Sequence, residues 1–410
     1  MKHPLFRKIS VCILLLALTV CAVCPGAWAE TADVTGETDQ STEPGTEPTV
    51  SDLGVEDGSL ELSCQSAILM EATTGAVLYT QNAEEALPPA SVTKIMTLLL
   101  VMEAVDAGTI HLDDTVTVSA NAASMGGSQV YLKEGEQMSL EDLLKSVVIA
   151  SANDAAVALA EYVYGSTAAF VDKMNERARQ LGMSNTTFEN VTGLDDTAQN
   201  HLTSARDIAL MSKALIAHPT ILQYSSIWMD SIRDGAFGLT NTNRLVRFYP
   251  GCTGLKTGST SKAGFCISVT AEREGFSLIC VIMGAESRDV RNAAAVSLLD
   301  WGFANYGLYT APAGSTEPLA VTGGVKNSCA LQYEAFSKVL PKFKIASVEQ
   351  KILLPESVAA PVKEGDSIGT VSYLSDGEQI GQVNITAAET VEKIDFFEIL
   401  RRMLAGFLLI

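Results

Sequence analysis

Pro88-Pro89-Ala90-Ser91-Val92-Thr93-Lys94-Ile95-Met96-Thr97-Leu98-Leu99-Leu100 is the stretch on which the reading of this chain turns. Two prolines close an extended segment, and no Gly or Pro follows until Gly108. That pattern predicts a helix beginning near Ser91. Residues three apart share a helix face, so Lys94 falls beside Ser91. The helix start favours negative charge developing at the serine. A serine beside an amine base makes a nucleophile without histidine. Ser-x-x-Lys also arises by chance on surface helices, so partners elsewhere in the chain have to decide its meaning.

Composition narrows the choices. The 410 residues suit two domains with appendages, and 47% are hydrophobic, enough for a large core. A formal net charge of -20 argues against nucleic acid and against electrostatic attachment to anionic lipid. Residues 1–29 read as a secretory signal peptide: Lys2, Arg7 and Lys8, then an apolar run from Ile9 to Val23, then Ala27-Trp28-Ala29 as the cleavage site. Cys21 and Cys24 raise a lipoprotein alternative, but Val20 and Val23 stand where a small residue is expected. After cleavage Cys64, Cys252, Cys266, Cys280 and Cys329 remain. Their wide, irregular spacing suits neither a metal site nor a disulfide framework, although one disulfide is compatible with it. His111, His201 and His218 form no zinc motif.

In chain order, residues 30–59 are acidic, Thr- and Pro-rich and without Lys or Arg, a disordered linker. Two strand-like runs, 66–70 and 76–79, flank a Gly-containing loop as a hairpin. Ser139 starts an apolar-striped helix through Val148. It meets a second, Ala-rich helix at Ile149-Ala150-Ser151-Ala152-Asn153-Asp154. There the polar residues either cap the second helix, through Asn153 or Asp154, or face a cleft. Thr203 or Ser204 caps a helix through Ala217. Gly254-Leu255-Lys256-Thr257-Gly258-Ser259-Thr260 leads into two apolar strands, 264–271 and 276–284, of a buried antiparallel hairpin. A helix from Ala293 to Asn305 closes this body. Beyond residue 309 short strands alternate with turns, Asp376-Gly377 being a strong hairpin signal, and this β-rich domain ends near 388. Residues 389–410 carry Phe396, Ile399, Leu400, Met403, Leu404, Phe407 and Leu408 on one face. That stripe is too short to span a bilayer. It reads as an in-plane membrane anchor, the alternative being a terminal helix packed on the β domain.

Ser91-x-x-Lys94, Ser151-x-Asn153 and Lys256-Thr257-Gly258, in that order, resemble the three motifs of the penicillin-recognising serine enzymes. The flanking sequence is closer to one branch, the low-molecular-mass penicillin-binding proteins that are serine D-alanyl-D-alanine carboxypeptidases. Residues 89–97, 149–156, 190–195 (Asn-Val-Thr-Gly-Leu-Asp), 203–207 and 254–260 carry the likeness, over about 60–305. The resemblance implies an α+β catalytic domain at 60–308, an antiparallel sheet flanked by helices with a helical lobe. A small all-β domain at 309–388 and the terminal amphipathic helix complete the layout.

It also implies roles. Ser91 attacks the peptide bond between the last two D-alanines of a peptidoglycan stem peptide. Lys94 takes its proton, held neutral by burial and by the charge of Lys256. Ser151 relays a proton between Lys94 and the leaving nitrogen, and Asn153 binds the substrate backbone. Lys256 and Thr257 meet the terminal carboxylate. The backbone N–H groups of Ser91 and Ser259 form the oxyanion hole, and Gly258 lets substrate approach the strand. Arg244, Arg288 and Arg291 are further carboxylate candidates, with surface salt bridges as the simpler expectation. β-Lactams are expected as covalent inhibitors and no cofactor is implied. The expected location is the outer face of the cytoplasmic membrane. Rival readings are a β-lactamase, a D,D-endopeptidase, and a wall-binding protein with decayed motifs. Glu189 stands near the place of a lactamase's loop glutamate, but Asn190-Val191-Thr192-Gly193 does not match that setting.

Overall fold

The computed structural model describes residues 60–408 apart from 196–197; the expected signal peptide and acidic linker lie outside the described residues. A five-stranded antiparallel sheet is the frame, in the order Val77–Gln81, Ser66–Glu71, Phe276–Ala285, Gly264–Arg273, Cys252–Thr260. Its middle strands are buried on both faces, which is why they read as continuous apolar runs rather than alternating ones. The Glu71 carboxylate closes the first hairpin by accepting from the Thr73 and Thr74 N–H groups and the Thr74 hydroxyl.

One sheet face packs on the helical lobe. The centre of that core is the helix Lys94–Asp106, in which every residue from Lys94 to Met102 is buried. A helix apolar on all sides belongs in a core, not at a surface. The other face is covered by Arg288–Asn305. That helix starts five residues before the sequence reading places it. Ser287 caps it by accepting from the Val290 N–H, and its polar first turn hides the start from an apolar count.

The segment carrying Ser91 also departs from expectation. Ala90–Thr93 is a 3-10 turn, and the α-helix begins only at Lys94. Ala90 sits at φ 50°, a left-handed conformation that no α-helix continues through. Tight 3-10 winding eclipses residues three apart, which lays Lys94 over Ser91. Ser139 does cap Leu140–Ala150. The next helix, Asn153–Tyr164, is capped by Ala152 without a side-chain bond, not by Asn153 or Asp154. Of the pair Thr203 and Ser204, Ser204 is the cap.

The C-terminal domain is a six-stranded sheet in the order Val348–Leu353, Ser367–Ser375, Glu378–Ala387, Ser328–Tyr333, Gly314–Thr322, Ser357–Ala359. A separate pair, Tyr306–Ala311 with Phe336–Pro341, leads into it. Asp376 and Gly377, at φ 52° and 83°, form the two-residue turn their sequence announces. One helical turn, Lys342–Ile345, interrupts the strands. Cys64, Cys252, Cys266, Cys280 and Cys329 are all free thiols. Phe396–Leu408 is helical, and Phe396, Phe397, Ile399, Leu400, Met403 and Leu404 are exposed. Among the described residues no helix is long and apolar enough to cross a membrane.

Candidate active site

Three segments meet where the edge strand Cys252–Thr260 passes the 3-10 turn Ala90–Thr93 that carries Ser91. Gly258 makes the approach: a Cβ there would stand 2.8 Å from the Pro89 carbonyl oxygen and the Ser91 nitrogen and 2.9 Å from the Val92 nitrogen. The glycine is therefore required first by the turn that carries Ser91, a sharper reason than room for substrate.

Lys94 Nζ lies 2.9 Å from Ser91 Oγ and 2.8 Å from the Thr192 carbonyl oxygen. The lysine is wholly buried. Burial, and then the neighbouring Lys256, hold its amine well below the usual lysine range, against a smaller opposing pull from Asp154. A neutral amine has N–H groups and one lone pair. With an N–H donated to Thr192 O, the lone pair is available to the Ser91 hydroxyl. Thr192 is held by Asn190, whose Oδ1 accepts from the Thr192 and Gly193 N–H groups and the Thr192 hydroxyl. Gly193, at φ 82°, abuts the Ala90 carbonyl so closely that a Cβ would fall 1.8 Å from its oxygen. The Asn-Val-Thr-Gly segment belonged to the sequence resemblance, but its carbonyl contact with Lys94 was not foreseen. Thr192's side chain gives no clue to a backbone role; Asn190 and Gly193, a turn pair, are the signal.

Lys256 forms the second lysine–serine pair. Its amine donates to Ser151 Oγ at 2.8 Å and to its neighbour's Thr257 carbonyl at 3.0 Å. Burial lowers its pKa to about 7, helped by the charge of Arg291. Ser151 ends Leu140–Ala150 in the left-handed region, at φ 62°. A non-glycine residue there costs roughly 1–2 kcal/mol, accepted where the hydroxyl must point at Lys256. In this resting arrangement Ser151 is bonded to Lys256, not to Lys94. Thr257 Oγ1 donates to Thr242 Oγ1 at 2.8 Å.

Asn153 is buried below the loop Met125–Ser128. Its Nδ2 donates to the Gly126 carbonyl at 2.7 Å, and its Oδ1 has no hydrogen-bond partner among the described residues. Asp154 fixes the same region by accepting from the Val130 and Leu132 N–H groups.

A cleft of about 650 Å³ opens over these groups, lined by Ser91, Ser151, Thr257, Gly258 and Ser259 and walled by Trp228, Phe248 and Phe265. Arg244, Arg288 and Arg291 all line it, and none makes an ion pair with a carboxylate among the described residues. The expectation of surface salt bridges is thus corrected: among the described residues these three arginines have no carboxylate ion-pair partner, and Arg291 donates instead to Asn292 Oδ1 and the Cys266 carbonyl. Arg291 is almost fully buried, and burial followed by the charge of Arg288 lowers its pKa to about 10. Glu189 lies instead on a neighbouring pocket behind Thr192, away from the Ser91 cleft, so no lactamase-like carboxylate faces the nucleophile from that position.

The profile of the D-alanyl-D-alanine carboxypeptidase family matches residues 54–287, and that of the penicillin-binding protein 5 C-terminal domain matches residues 319–393. The chain is 39% identical over 369 residues to D-alanyl-D-alanine carboxypeptidase DacF of Bacillus subtilis, covering 86% of this chain and 92% of that protein. It is 37% identical to DacC of Escherichia coli, over 80% and 84%. Penicillin-binding protein 5 of Haemophilus influenzae superposes with a TM-score of 0.73 at 32% identity, covering 83% of this chain and all of that one. Penicillin-binding protein D2 of Listeria monocytogenes, solved with ampicillin bound, superposes with a TM-score of 0.55 at 35% identity, over 60% and 99%. Extended likeness in both domains and the paired lysine–serine site agree: this chain belongs to the D-alanyl-D-alanine carboxypeptidase family of penicillin-binding proteins and is a serine-type carboxypeptidase.

Proposed function

We propose that Ser91 is the acylated nucleophile in removal of the terminal D-alanine from peptidoglycan stem peptides. The observation that carries this reading is the buried Lys94 amine 2.9 Å from Ser91 Oγ, held well below the usual lysine range by burial and by Lys256. Ser91 Oγ attacks the penultimate D-alanine carbonyl carbon as its proton passes to Lys94 Nζ. The oxyanion is met by the Ser91 and Ser259 N–H groups. The C–N bond then breaks, and Ser151 delivers a proton to the leaving nitrogen. Its bond to Lys256 makes that lysine a proton source as well as a charge. The terminal carboxylate is held by Thr257, Lys256 and the cleft arginines, Arg291 foremost because it is buried and desolvated. Asn153 binds the substrate backbone once the loop over it gives way. In the second half-reaction a water attacks the acyl carbonyl carbon as one of its protons passes through Ser151 to Lys256. The C–O bond to Ser91 breaks, the proton on Lys94 returns to Ser91 Oγ, and the shortened peptide leaves with a new terminal carboxyl group.

The exposed Phe396, Phe397, Ile399, Leu400, Met403 and Leu404, on a helix where Arg401 and Arg402 pair with Glu398, support an in-plane anchor on the outer face of the cytoplasmic membrane. The β domain would then space the site from the lipid. Fluorescent penicillin should label the protein slowly reversibly and fail to label Ser91→Ala. Purified protein should release D-alanine from a D-Ala-D-Ala pentapeptide. Rapid penicillin turnover would favour a β-lactamase instead. Residues 389–394 pair with the β domain through Val391 and Lys393, so the anchor is shorter than the expected 389–410 and its helix begins at Phe396. Removal of residues 395–410 should abolish sedimentation with phospholipid vesicles while D-alanine release persists, and retained sedimentation refutes the anchor.

A further inference from the structure

Behind the nucleophile turn runs a hydrogen-bond chain that the reaction scheme leaves unused. The Glu189 N–H donates to His201 Nδ1 at 3.0 Å, so the lone pair is on Nδ1 and the ring proton on Nε2. Nε2 lies 2.7 Å from Thr93 Oγ1 and donates to it. The Thr93 hydroxyl in turn donates to the Ala90 carbonyl at 2.8 Å. His201 and Thr93 are both buried, and the Phe188 ring packs edge-on against the imidazole at 5.7 Å. Burial takes the His201 pKa down to about 4 against the opposing carboxylates of Glu189 and Asp195. The ring therefore stays neutral at the pH of any ordinary assay and exchanges no proton in the reaction.

What the chain fixes is a peptide plane. The Ala90 carbonyl and the Ser91 N–H belong to one planar trans peptide and point in opposite directions. Ala90 is left-handed at φ 50°, so this plane is not set by helix geometry. It is set by the Thr93 hydroxyl on the carbonyl and by Gly193 packed against it. We infer that His201 is a positioning residue which, through Thr93 and the Ala90 carbonyl, aims the Ser91 N–H into the oxyanion hole. This rests on Ser91 being the nucleophile. Removing an oxyanion donor outright costs about 100- to 1000-fold in rate; a mis-aimed donor should cost part of that.

The test is a set of variants assayed for penicillin acylation and for pentapeptide hydrolysis. His201→Gln places an amide N–H near the Nε2 position, whereas His201→Asn keeps only an acceptor for the Glu189 N–H. Thr93→Val deletes the hydroxyl at constant volume, and Thr93→Ser keeps it. His201→Asn and Thr93→Val should each slow acylation and lower kcat by about 10- to 100-fold with KM within about threefold and the shape of the pH profile unchanged. Their double variant should be no slower than the worse single one, because they interrupt the same chain. His201→Gln and Thr93→Ser should restore most of the rate. Folded His201→Asn at the wild-type rate, or multiplicative losses in the double variant, overturns the inference. If His201→Asn does not fold, the Thr93 pair decides alone: equal rates for Val and Ser refute it. Labelling that survives Ser91→Ala would sink the nucleophile assignment itself, a separate failure.

Discussion

Gly258→Ala isolates the fit between the edge strand and the nucleophile turn. The added Cβ would meet three backbone atoms, at 2.8, 2.8 and 2.9 Å. Non-bonded carbon contacts relax at about 3.5 Å, so roughly half an ångström has to be found. No flexible side chain can give it, since Pro89, Ser91 and Val92 offer main chain. Either the strand edge or the turn moves. Overpacking of this kind costs about 1–3 kcal/mol, and an ångström of misplacement at a reacting centre costs about 100-fold. We expect acylation by fluorescent penicillin to slow by about tenfold or more, with a lowered midpoint of thermal unfolding. Gly238→Ala is the control: it lies on the hairpin strand Phe237–Thr240, and a Cβ there meets nothing within 4 Å. Its acylation rate should equal the wild type. If Gly258→Ala acylates within threefold of wild type and unfolds at the same temperature, the close approach does not set the geometry of Ser91.

With Lys256 titrating at about 7, kcat/KM on a pentapeptide should fall as pH rises through that value, because the neutral amine no longer attracts the carboxylate. Arg291→Gln removes a charge that helps hold Lys256 down, so this alkaline limb should move to higher pH; an unmoved limb, or one shifted to lower pH, contradicts the assigned coupling. Lys256 also carries a stability signature. From about pH 7 to 10 the unfolded lysine is protonated and the folded one is not, so stability rises with pH. Urea unfolding at pH 7 and 9 should therefore show wild type gaining roughly 2 kcal/mol more than Lys256→Met over that interval; equal gains would mean that Lys256 is charged in the folded state at pH 9. Asn190→Ala strips the acceptor from the Thr192 and Gly193 N–H groups. It should cost about 2–3 kcal/mol and slow acylation, and a variant of unchanged stability and rate would show that the loop holds Thr192 without it.

The three motifs were legible because each depends on side chains: Ser91, Lys94, Ser151 and Lys256 do meet in pairs. The apolar strands and the Asp376-Gly377 turn were legible because burial and positive φ leave direct marks on composition. What escaped is governed by main chain or by distance in sequence. No pattern in Pro88 to Leu100 reports that Ala90 is left-handed, because the causes, Gly193, Gly258 and His201, lie over a hundred residues away. The Thr192 carbonyl is invisible for the same reason. Asn153 and Asp154 look like caps because short polar residues before a helix usually are. Here Asp154 is drawn instead to the N–H groups of Val130 and Leu132, which would otherwise be buried without partners.

The two lysines explain how one site can need both a base and a cation without a histidine in reach of the nucleophile. Equal burial alone would depress both amines and leave neither charged. Burial is the largest cause in both, and the charged neighbours act after it. Lys94 feels Lys256 as its chief charged neighbour, with Asp154 only partly opposing. Lys256 feels Arg291, whose lowered value of about 10 still leaves it fully charged near neutrality. Positive charge thus weakens across the site: Arg291 keeps its charge near neutrality, Lys256 titrates at about 7, and Lys94 is held well below the usual lysine range. A carboxylate arriving beside Arg291 and Lys256 favours the protonated form of Lys256, and that charge in turn disfavours protonation of Lys94. Substrate binding therefore strengthens the order the reaction needs, with the proton source beside Ser151 and the free lone pair beside Ser91. A ligand lacking the carboxylate should lose rate as well as affinity, because it leaves Lys256 at the midpoint of its own titration.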